Sequence, residues 1–181
     1  MRQFDLSGPL PSRSTVCKMT LAGACAMLFS AGAAMSTPVD MTIDLLLDIC
    51  AAPTVEGASV KGDKLGWPRL SGAAIDDWRR HFLSYNRGTV DVVGWRRNPK
   101  RDDESLSFWI AVGSRRHTAC AYSVASGGGH LVALYERLGK PDVFDKNDAV
   151  ESISASWKRG SIQYSLTQVG SRMLINIGRQ N

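Results

Sequence analysis

The chain has 181 residues, 44% of them apolar and 22% charged, with a formal net charge of +5. That composition excludes a disordered tail, a collagen-like fibre and a multi-pass membrane protein. The length suits one domain, with or without a targeting segment.

The N-terminal segment carries an export pattern. Arg2, Arg13 and Lys18 stand against one acid, Asp5, and an uncharged run from Met19 to Met35 follows, with Leu21, Met27, Leu28 and Phe29 at its centre. It closes on Ala31-Gly32-Ala33, the small-x-small end of a secretory signal. Residues 1–33 are therefore expected to be a cleavable signal peptide, and residues 34–181 a single domain in the periplasm or secreted. The alternative is an uncleaved N-terminal helix that anchors the chain in the membrane. No later segment is long and apolar enough to span a bilayer. Cleavage lowers Lys+Arg from 22 to 19 and Asp+Glu from 17 to 16, leaving about +3. With no RNP, helix-turn-helix or zinc-finger pattern, this mild excess does not point to nucleic acid.

Cys17 and Cys25 leave with the signal, so Cys50 and Cys120 remain. An even count in an exported chain predicts a bridge. Ile43, Leu46, Leu47 and Cys50 share one helical face, and Cys120 alternates with Thr118, Tyr122 and Val124 along a strand. Both sulfurs thus point to the interior, and a core-facing sulfur is a poor nucleophile.

Thr37-Pro38 predicts the start of a helix running to residue 51, which Pro53 stops. A short helix near 58–65 is weakly patterned. Ser71 caps a second clear helix to Tyr85, with the stripe Ile75, Trp78, Phe82 and Tyr85. Three strands follow, over 90–95, 105–112 and 117–124, joined by polar turns. The glycine-rich stretch 126–129 leads into a helix bearing Leu131, Leu134, Tyr135 and Leu138, which Gly139 ends and Pro141 prevents from resuming. A second three-strand meander closes the domain. The expected fold is α+β: two N-terminal helices, an antiparallel β-meander, a helix and a second antiparallel β-meander, with the helices packed on one sheet face.

Few residues are grouped for chemistry. Ser126–Gly129 lacks the lysine of a P-loop and the parallel βαβ setting of a dinucleotide fold. Asp77 and His81 are spaced as two legs of a metal site, but His117 and His130 bring no supporting cluster. The acidic stretch Asp142, Asp145, Asn147, Asp148 and Glu151 departs from a calcium loop at Ala149 and Val150. No metal or cofactor is expected. The strongest binding candidate is the hairpin end, where Trp95 precedes Arg96, Arg97, Lys100 and Arg101. Trp95 also alternates with Val93, which offers it a place in the core instead. These features predict a non-enzymatic binding or interaction protein, such as an inhibitor, an immunity-type protein or an envelope accessory protein. Its partner would be an acidic or anionic protein or glycan in the envelope. The alternatives are a small exported hydrolase with His130 or His81 as base, and a structural envelope component.

Overall fold

The computed structural model describes residues 38–113, 116–126 and 128–180. The expected signal peptide, with Cys17 and Cys25, lies outside the described residues. The elements in chain order are α1 (Ile43–Cys50), α2 (Val55–Gly62), α3 (Gly72–Asn86), β1 (Thr89–Arg96), β2 (Glu104–Val112), β3 (His117–Val124), α4 (His130–Leu138), β4 (Val143–Asn147), β5 (Ser152–Arg159), β6 (Ile162–Val169) and β7 (Arg172–Gln180). A 3-10 turn follows α2, and another separates β4 from β5.

Side-chain caps set the first three helix starts. Thr42, Thr54 and Ser71 each accept a bond from the backbone N–H three residues on, at Leu45, Gly57 and Ala74. The cap at Thr42, rather than Thr37, starts α1 later than Pro38 suggests. The segment ahead of it is tied down elsewhere: Val39 N–H donates to the Leu65 carbonyl, and the Trp67 indole donates to the Val39 carbonyl at 2.9 Å.

The seven strands form one antiparallel sheet in the order β1-β2-β3-β7-β6-β5-β4. α4 carries the chain from β3, near the centre, to β4 at the far edge. The second meander then works back until β7 pairs with β3. β4 is an addition to the expected three strands: part of the acidic stretch pairs with β5, from Val143↔Ser156 to Asn147↔Ser152.

Strand register separates two faces. On the inner face one row runs Trp95, Leu106, Tyr122, Ile175, Leu166 and Ala155, all buried. α1 reaches this face through the Cys50–Cys120 disulfide, whose Cα atoms are 5.5 Å apart. α2 lays Gly62 on the Trp95 indole, so close that a β-carbon there would fall 2.3 Å from Cζ2. α4 contributes the buried Leu134, and its His130 ring lies 5.6 Å from that of Tyr122.

α3 lies on the other face, a departure from the expected packing of all helices on one sheet face. Trp109 alternates with the buried Phe108 and so points outward, and Trp78 and Phe82 of α3 pack on it with ring centroids 5.2 and 6.3 Å away. Leu70, just ahead of α3, fills the space over Gly94. A large aromatic on an otherwise short-chained face needs apolar cover, and α3 supplies it. No residue of α3 is fully buried. Among the described residues no helix is long and apolar enough to cross a membrane.

Candidate functional site

The hairpin end gathers Arg96, Arg97, Lys100 and Arg101 around the β1–β2 turn, but most of their charge is answered locally. Arg96 pairs with Asp102 at 3.3 Å and Arg101 with Asp103 at 3.0 Å. Arg97 binds Glu104 at 2.9 Å and also Asp40, which precedes α1. Four cations thus face four carboxylates. Lys100 makes no ion pair among the described residues; its backbone N–H donates to Asn98 Oδ1. A long-range positive field at this end is largely cancelled.

Trp95 is not exposed at all. Its indole N–H donates to Asp63 Oδ1 at 3.0 Å, beneath the 3-10 turn that follows α2. Arg69 grips the same carboxylate with two bonds of 2.8 and 2.7 Å. The Arg69 guanidinium, and after it the Trp95 N–H, hold the Asp63 carboxyl below the usual carboxylate range. Trp95 therefore belongs to the core, as its alternation with Val93 allows, and its ring is out of a partner's reach.

A polar chain missed by the sequence reading runs inward from the hairpin. Asp40, Arg97, Glu104 and Tyr122 are linked in that order, the last step a 2.7 Å bond from the Tyr122 hydroxyl to Glu104 Oε1. Burial, then the bond to Glu104, pushes the Tyr122 hydroxyl well above the usual phenol range. Glu104, and behind it Asp40, raise Arg97. The signal was present: Tyr122 shares the inner face with Cys120, and a core tyrosine needs a partner for its hydroxyl. Glu104, two residues before Leu106 on the same face, is placed to be that partner.

The outer face offers a different surface beyond the cover of α3. One row runs Arg96, Ser105, Ser123, Leu174, Thr167, Ser154 and Asp145. The next runs Ser107, Ala121, Asn176, Ser165, Ser156 and Val143. None of these residues is buried. Strands about 4.8 Å apart make the longer row about 29 Å across. Short side chains keep it flat, and ordering serine or alanine against a partner loses far less rotamer entropy than ordering lysine or glutamate.

The histidines fall in separate places. His81 pairs with Asp77 at 3.8 Å on the exposed side of α3. His117 packs near Phe82 on the outer face, and His130 lies by Tyr122 on the inner one. Among the described residues no group of three or more His, Cys, Asp or Glu could hold a metal ion. The acidic stretch is used structurally: Asp142 accepts from the Lys158 backbone N–H at 2.6 Å and from Arg159. Comparisons of the chain with family models, curated proteins and solved structures find no match.

Proposed function

We propose that the protein is an exported, non-enzymatic interaction protein that works in the periplasm or outside the cell and seats a protein or glycan partner on the outer face of its sheet. The observation that carries this reading is the pair of short-chained, hydroxyl-rich rows left open beyond α3. Export rests on the N-terminal sequence pattern, and the Cys50–Cys120 bridge is the chemistry of an oxidising compartment. The expected hairpin contact becomes a rim. Arg96 ends one of the rows, and the adjoining β1–β2 turn carries Lys100 and the exposed Arg101, which meet acidic groups of the partner.

The test is a pull-down from bacterial envelope extract with the disulfide-bonded chain, repeated with Ser156→Arg/Ser165→Arg and with Glu136→Ala on the exposed side of α4. The partner should be lost with the sheet-face variant and kept with the α4 variant. Capture that survives both substitutions would refute an outer-face site. Lys100→Ala/Arg101→Ala should weaken capture mainly at low salt.

A further inference from the structure

A cleft of about 260 Å³ opens at one end of the inner face. It exists because the helix layer stops before the sheet does. α1 ends at Cys50 and α4 at Leu138, while β3, β7 and β6 continue through the row Thr118, Arg179 and Ile162. Leu47 and Leu138 wall the cleft, Ile162, Tyr164 and Ile177 line its sheet side, and Arg137, Arg179 and Thr118 also line it. The walls are fixed in advance. The Cys50–Cys120 bridge holds α1 to β3, and Arg159 holds the end of α4 to β5 by donating to the Leu138 carbonyl at 2.7 Å.

The charge here is not matched as it is at the hairpin. Arg137 has only an exposed pair with Asp44 at 3.4 Å, and Arg179 makes no ion pair among the described residues. Apolar walls beside two guanidinium groups fit an anion with a hydrocarbon tail. At about 30 Å³ per water-sized unit, the volume holds roughly nine non-hydrogen atoms. We infer that this cleft binds a single-chain carboxylate of about seven or eight carbons, its tail against Leu47, Leu138, Ile162 and Ile177 and its head on Arg179 and Arg137. The inference uses the inner face and stands apart from the outer-face reading.

The test titrates octanoate, below its micellar range, into the disulfide-bonded protein, followed by methyl NMR. Saturable shifts confined to Leu47, Leu138, Ile162 and Ile177 are expected. Octylammonium should not bind, and octanol should bind more weakly. Arg179→Ala should reduce octanoate affinity about tenfold, the scale of one charge-assisted hydrogen bond, and leave octanol binding unchanged. If near-UV circular dichroism shows that Arg179→Ala does not fold, Arg179→Gln gives the same reading. No saturation, shifts centred outside the cleft, or equal affinity of the folded Arg179 variant for octanoate would each overturn the assignment.

Discussion

The polar tips of the buried aromatics are where side chains tie this fold together. Trp95 donates to Asp63, Trp67 to the Val39 carbonyl, Trp157 to the Gly139 carbonyl and Tyr122 to Glu104. Each bond fastens a core ring to a turn, a helix end, a hairpin or the segment ahead of α1, and avoids the cost of an unpaired buried donor. Asp63 gives this a pH signature. Its carboxyl is held below its ordinary value, chiefly by Arg69, so it contributes stability that is complete above the unfolded-state value and lost as pH falls through the folded one. Urea titration should show wild-type stability falling below about pH 4. Asp63→Asn keeps an acceptor for Trp95 but removes the charge, so it should be less stable at pH 7 and lose less on acidification. Parallel losses in the two proteins would show that Asp63 does not matter. The effect is small, because both Asp63 and Arg69 are half exposed. Trp95 also marks how far single residues were legible. It was expected as a partner's anchor, and its alternation with Val93 only left open the core place it takes; the arginines after it read as a patch, because sequence order does not show that each arginine folds against a nearby acid.

Among the elements, α2 sets packing against propensity. Gly62 ends this helix, and alanine is the better helix former by up to about 1 kcal/mol. Yet its β-carbon would overlap Cζ2, Cη2 and Cε2 of the buried Trp95 ring. Overpacking costs about 1–3 kcal/mol, so Gly62→Ala should lower the urea midpoint; an unchanged or raised midpoint would mean that the indole gives way. Elements with strong local signals were legible. α3 starts at its Ser71 cap, and α4 stops at Gly139. The fourth strand of the second meander was hidden, because Val143–Asn147 is short, charged and exposed at every position. Its partner strand defines it, not its own pattern. The placement of α3 was not legible: the helices were expected on one sheet face, and only the folded sheet shows that Trp109 turns to the other and takes α3 as its cover.

For the molecule as a whole, the disulfide closes a loop of 70 residues and joins the helix layer to the third strand. The chain-entropy model assigns such a loop about 4 kcal/mol. The Cys50→Ala/Cys120→Ala variant should lose about 2–4 kcal/mol in urea unfolding, with thiol titration of the unfolded, non-reduced chain from residue 34 on finding none free in the unsubstituted protein. Equal stability would leave the bridge without a thermodynamic role. The pairing of two inward-facing cysteines was open to sequence reasoning, but the joining of the two meanders into one sheet was not, because no residue pattern specifies that β7 lies beside β3. That central position governs the order of assembly. Until residues 172–180 are free to pair, the chain holds two separate three-stranded ribbons, each with a raw inner edge at β3 or β6. A ribosome still holding those nine residues keeps the sheet from closing, so the chain stays open and threadable until β7 emerges.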